Sequence, residues 1–109
     1  MIRVTIKRRP DDRIESFRVK GHALYGDPGK DIVCAGVSAV TVGTVNSVET
    51  VAGVVMKANM KHGLLDVQVP VDLDDTESDK VQLLLESMVV MLKSIEQSYG
   101  AYITLQDKK

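Results

Sequence analysis

The chain contains one cysteine, Cys34, and two histidines, His22 and His62. His22 and Cys34 bracket a segment punctuated by Gly26, Pro28 and Gly29, and Asp31 at its end is placed to cap a helix. Cys34 then falls in the first helical turn. Backbone N–H groups there lack partners within the helix, and the positive end of the helix dipole lies close by. Both features favour the thiolate, the form of cysteine that attacks a carbonyl carbon. A nucleophile, a potential base and a flexible loop in one short segment are what a cysteine hydrolase requires. The plain alternative for a lone cysteine is a small buried hydrophobe.

His22 is the histidine placed to act as the base, because it emerges at the end of a strand where the loop begins. His62 reads as structural, in the turn after the first helix. Asp31 can cap that helix or orient the His22 imidazole, since both roles need a similar location. Ser38, one turn beyond Cys34, can bond substrate or position the thiolate; its plain reading is back-bonding within the helix. No cofactor or metal is expected: one cysteine and two separated histidines do not make a zinc quartet. The carboxylates of Asp72, Asp74, Asp75, Glu77 and Asp79 lack the glycine and terminal glutamate of a calcium loop and read as a solvated connector. The Gly26–Asp31 segment is too short for a phosphate loop and carries Asp31 where Ser or Thr is needed.

These residues need a scaffold, and 109 residues supply one domain over 1–109 with a single core. Alternation predicts strands over 2–8 and 14–20, joined as a hairpin through the Pro10–Asp12 turn. From Asp31 to about Asn59, Val and Thr recur at helical intervals (Val37, Val40, Thr41, Thr44, Val45, Val48, then Val51, Ala52 and Val55), which predicts a long buried helix stopped by Gly63. Leu65, Val67 and Val69 mark a third strand. Thr76 or Ser78 is expected to cap a second, amphipathic helix whose stripe runs from Val81 to Tyr99 and closes at Gly100. Ala101 to Gln106 completes the set. The expected fold is α+β, two-layered, in the order ββαβαβ, with two helices on one face of a mostly antiparallel sheet. Leu83 and Val90, seven apart and off the main stripe, read either as a second buried edge for a dimer contact or as scattered surface apolar residues.

Composition excludes several classes of function. With 14 basic and 15 acidic residues the net charge is -1, so there is no footprint for direct nucleic-acid binding. No apolar run reaches the roughly 20 residues of a membrane span, so no membrane partner is expected. A single unpaired cysteine without an export signal points to the cytoplasm.

The segment Gly21-His22-Ala23-x-Tyr25-Gly26-x-x-Gly29-x-Asp31-Ile32-Val33-Cys34-Ala35-x-Val37-Ser38 resembles the signature of the ribosomal-processing cysteine protease family, Prp. Gly36 and Val40 stand where the family commonly has Ala and Leu. The resemblance implies a small α/β homodimer that trims a short N-terminal extension from a large-subunit ribosomal protein precursor. It implies Cys34 as nucleophile, His22 as base, and supporting roles for Asp31 and Ser38. Gly21, Ala23, Tyr25, Gly26 and Gly29 would belong to a loop that moves to admit an extended apolar peptide, with N–H groups of the helix start holding the oxyanion. A non-catalytic ribosome-associated module and a redox-sensing thiol are the alternative readings.

Overall fold

The computed structural model describes residues 1–108; Lys109 lies outside the described residues. The elements are β1 (Ile2–Arg8), β2 (Ile14–Lys20), α1 (Ile32–Ala52), β3 (Lys57–Lys61), β4 (Leu64–Gln68), α2 (Asp75–Tyr99) and β5 (Ile103–Lys108). All five strands form one sheet in the order β3-β4-β2-β1-β5. Three neighbouring pairs are antiparallel and β1–β5 is parallel. The expected α+β class and predominantly antiparallel sheet hold, with one strand more than expected.

Register sets which face is covered. Val4 pairs with Val19 and Ile6 with Phe17, and these in turn stand beside Leu65 and Val67 on β4. Ile2, Val4, Ile6, Phe17 and Val67 are buried, whereas Arg3 and Lys7 are exposed. Onto this face α1 brings Val33, Val37, Thr41, Thr44 and Val48, and α2 brings Val81, Leu85, Met88, Val89 and Leu92. The Val- and Thr-rich α1 loses up to about 0.7 kcal/mol per residue relative to alanine through propensity. Burying each large apolar side chain contributes about 1.5–3 kcal/mol, so packing decides the helix. Its two buried hydroxyls are satisfied internally: Thr41 Oγ1 donates to the Val37 carbonyl at 2.8 Å and Thr44 Oγ1 to that of Val40 at 2.6 Å.

Several boundaries differ from expectation. Helix α1 ends at Ala52, not near Asn59, because Gly53 adopts a left-handed φ of 70° and its N–H closes onto the Val48 and Glu49 carbonyls. Residues 57–59, expected as the end of the helix, belong instead to the edge strand β3, and Gly63 (φ 73°) lies in the two-residue β3–β4 turn. The cap of α2 is Asp74, with Glu77 completing a capping box, in place of Thr76 or Ser78. Asp75, Glu77 and Asp79, expected in a solvated connector, lie instead in the first turns of α2, and Asp79 pairs with Arg13 at 2.6 Å. The last strand starts two residues later than expected, at Ile103. By length and composition α1 is also apolar enough to cross a bilayer, which the sequence reading does not anticipate; its most apolar window has a mean hydropathy of 1.4. Here Val33, Val37, Thr41, Thr44 and Val48 are buried and the helix packs on α2.

Arg8 fastens the end of the sheet away from Gly21. Its guanidinium donates to Glu86 on α2 at 2.6 and 2.8 Å and to Asp107 on β5 at 2.7 and 3.0 Å. Those hydrogen bonds raise the Arg8 pKa and hold both carboxyl groups below their ordinary values.

At the other end of β2, Gly21 has φ 95°, and a Cβ there would stand 2.4 Å from the Met1 carbonyl oxygen. Gly21→Ala is therefore expected to destabilise by more than about 1 kcal/mol, lowering Tm by at least about 5 °C in calorimetry. Gly43 in α1 has open space at its Cβ position, so Gly43→Ala should raise Tm by several degrees through about 0.5–1 kcal/mol of helix propensity. An unchanged Tm for Gly21→Ala would refute the close approach to Met1.

Candidate active site

Asp31 organises the segment around Cys34. It caps α1 in an extended conformation, and its Oδ1 accepts the N–H groups of Val33 at 3.0 Å and Cys34 at 3.1 Å. Its Oδ2 accepts those of Tyr25 at 2.9 Å and Gly26 at 3.2 Å. One carboxylate thus ties the loop to the helix start. Burial alone would raise its pKa; the four backbone donors outweigh that and hold it below the ordinary carboxylate value.

Cys34 sits in the first turn of α1, half-buried, and its Sγ accepts the Ala23 N–H at 3.3 Å. The N–H groups of the helix start are engaged elsewhere: Val33 and Cys34 with the Asp31 carboxylate, Ala35 with the Asp31 carbonyl at 3.0 Å. The expectation that they hold an oxyanion therefore finds no free donor among these three.

His22 is exposed and emerges directly after Gly21. The Gly21 N–H donates to the Gly63 carbonyl at 2.9 Å, which brings the β3–β4 turn against the start of the loop. A Cβ on Gly63 would stand 3.0 Å from His22 Nε2, so the Nε2 edge of the imidazole faces that turn. His62, expected after the first helix, is instead in this turn, with its ring centroid 4.9 Å from that of His22. The sequence signal for it was the His-Gly pair ahead of an alternating strand, which is hairpin chemistry as well as a helix stop.

Between its ends the loop is fastened at three points. Ala23 is buried, and Tyr25 and Gly26 are held by Asp31. The Tyr25 ring packs edge-on against Tyr99 and Tyr102, with centroids 5.6 and 5.0 Å away. Leu24, caught between these ties, takes a left-handed φ of 57° although its side chain is 78% exposed. For a leucine this is strained backbone, and the flanking bonds impose it.

Two cavities share Cys34 and His22. One, of about 160 Å³, runs between α1 and β4 and has Ser38, Val42, Met60 and Leu65 in its wall. The other, of about 370 Å³, lies under the loop with Leu24, Gly29, Asp31 and His62. The structure therefore brings Cys34 and His22 together in both cavities, with Ser38 in the wall of the first and Asp31 in that of the second. Among the described residues, no group of three or more His, Cys, Asp or Glu side chains is placed to hold a metal ion.

Comparison with known proteins places the chain in a family. Residues 1–104 match the family model described as cysteine protease Prp. The chain is 42% identical over 101 residues to the ribosomal processing cysteine protease Prp of Bacillus subtilis, covering 91% of this chain and 90% of that one. It superposes with a TM-score of 0.89 on the crystal structure of the essential ribosomal processing protease Prp from S. aureus with a covalently linked product peptide, at 34% identity, covering 99% of this chain and all of that one. A second structure of that protease, in complex with a substrate peptide, gives a TM-score of 0.84 at the same identity and coverage. With its sequence matched over nearly its whole length and the same fold around Cys34, the chain is a cysteine protease and belongs to the ribosomal processing cysteine protease Prp family.

Proposed function

We propose that this protein removes a short N-terminal extension from a large-subunit ribosomal protein precursor, with Cys34 as nucleophile and His22 as general base and acid. The observation that carries this reading is the position of Cys34: on a capped helix start, with a backbone donor on its sulfur, where two cavities that also contain His22 meet. The related S. aureus protease was crystallised with a covalently linked product peptide, which supports covalent chemistry in this protein.

The Cys34 thiolate attacks the scissile carbonyl carbon. Protonated His22 gives its proton to the leaving amine as the C–N bond breaks, which leaves a thioester on Cys34. Neutral His22 then takes a proton from water, whose oxygen attacks the thioester and releases the new carboxylate. Ser38, in the wall of the smaller cavity, contacts the peptide. The apolar wall formed with Val42, Met60 and Leu65 suits an extended apolar segment. The loop over residues 23–30 moves to admit it. Opening breaks the Tyr25 contacts with Tyr99 and Tyr102, and releases the backbone strain at Leu24. Leu83 and Val90, 73% and 64% exposed on α2, provide an apolar strip for a homodimer contact. The free thiol suits the reducing cytoplasm.

Cys34→Ser and His22→Ala should each abolish cleavage of the extended precursor, followed by product mass, while circular dichroism stays native. A serine variant that retained more than about a hundredth of wild-type kcat would remove Cys34 as nucleophile.

Asp31 variants separate its two duties. Asparagine keeps one oxygen for Val33 and Cys34 but puts an amide nitrogen where Oδ2 accepts from Tyr25 and Gly26. Asp31→Asn should keep Tm within a few degrees, speed hydrogen exchange at the Tyr25 and Gly26 amides, and lower activity. Asp31→Ala should in addition lose the cap, about 1 kcal/mol and roughly 5 °C. Equal exchange in wild type and Asn variant would refute the loop tie.

The same carboxylate gives an acid limb. Its folded pKa lies below the unfolded value of about 3.9, so its stabilisation is complete above that value and is lost as pH falls through the lower, folded one. Thermal melts between pH 5 and 2, values chosen to bracket that range, should show a steeper fall for wild type than for Asp31→Asn.

A further inference from the structure

We infer that the β3–β4 turn orients the catalytic imidazole, with His62 as a positioning residue for His22. The inference rests on the assignment of His22 as the base. A base in such a dyad must be held by a third group, commonly a carboxylate that accepts a hydrogen bond from the imidazole. Among the described residues, the only carboxylate in the cavity walls, Asp31, already accepts four backbone N–H groups, two on each oxygen. A carboxylate offers about four lone-pair sites, so binding the imidazole would cost it a tie to the loop or the helix.

The contacts that do fix the ring come from the turn. The Nε2 edge of His22 sits over Gly63, where a Cβ would stand 3.0 Å from Nε2 and 3.6 Å from Cε1. The His62 ring lies beside it, with centroids 4.9 Å apart and planes inclined at 42°. The Gly21 N–H to Gly63 carbonyl bond, 2.9 Å, locks the backbone before His22 to the same turn. Gly63 thus limits the ring from one side, His62 from another, and the Gly21 bond fixes its Cα. Ring contact, not ionisation of His62, is the feature that positions His22. A phenyl ring at position 62 would preserve it, whereas a methyl group would leave the imidazole free to rotate.

The test is steady-state cleavage of the extended ribosomal protein precursor by wild type, His62→Ala, His62→Phe and His22→Ala, with Tm measured for each. His62 is exposed, so its variants should melt within about 2 °C of wild type. His62→Ala should lose about tenfold in kcat with KM within about twofold, inside the roughly hundredfold that a 1 Å misplacement can cost. His62→Phe should recover at least half of the wild-type kcat, roughly fivefold above the alanine variant. A wild-type kcat for His62→Ala beside an inactive His22→Ala would overturn the positioning role and leave His22 as base. A change confined to KM would make His62 a substrate contact, and a phenylalanine variant as slow as alanine would make the imidazole itself necessary; either overturns the inference. An active His22→Ala would instead remove the base assignment on which it rests.

Discussion

Four N–H groups converging on the carboxylate of Asp31 hold this site together. A helix start leaves N–H groups without intrahelical partners, and a loop entering from a sheet leaves others. In this protein one side chain satisfies donors of both kinds, Val33 and Cys34 from the helix, Tyr25 and Gly26 from the loop. The loop is thereby folded back over the first turn of α1, and the Ala23 N–H meets the sulfur of Cys34. The thiol is thus contacted by that returning backbone as well as seated on the helix start.

A second convergence occurs where the sheet meets the loop. Strand β2 pairs with β4 up to Lys20 and Leu64, so the residue after β2 lies against the β3–β4 turn. Gly21 bonds to that turn through its N–H and leaves room for the Met1 carbonyl that a Cβ would strike, while glycine at 63 leaves room for the His22 ring. His22 inherits its place from this junction. Cys34 is thus placed by a helix start and His22 by the end of the central strand β2, with the loop running between them.

The far end of the sheet is fastened by charge. Arg8, Glu86 and Asp107 join β1, α2 and β5, while the Gln82 side chain pairs with both backbone groups of Ile14, accepting at 2.6 Å and donating at 2.9 Å. These contacts clamp α2 across the strands. The C-terminal turn of α2 then presents Tyr99 to Tyr25 on the loop. Rigidity at one end of the molecule supports a site at the other that has strained backbone and glycine-rich connections, as a cleft that must admit a peptide requires.

The sequence by itself determined what depends on local chemistry. The bounds of β1 and β2 follow from alternation, and the cap at Asp31 and the place of Cys34 in the first helical turn follow from residue type. The signature around His22 and Cys34 identified the family, which the comparisons then established. Tertiary structure decided what local pattern could not. Strand β3 is exposed at every position, so it shows no apolar alternation and exists only because β4 offers it a pairing edge. Of two glycines able to end α1, Gly53 does so, and that choice frees residues 57–61 to turn back and carry His62 to His22. The second duty of Asp31, and the packing of Tyr25 on Tyr99 and Tyr102, join residues whose proximity is created only when the loop folds over the helix. Periodicity and capping act within a few residues of chain; contacts between separate segments are fixed by how the elements pack.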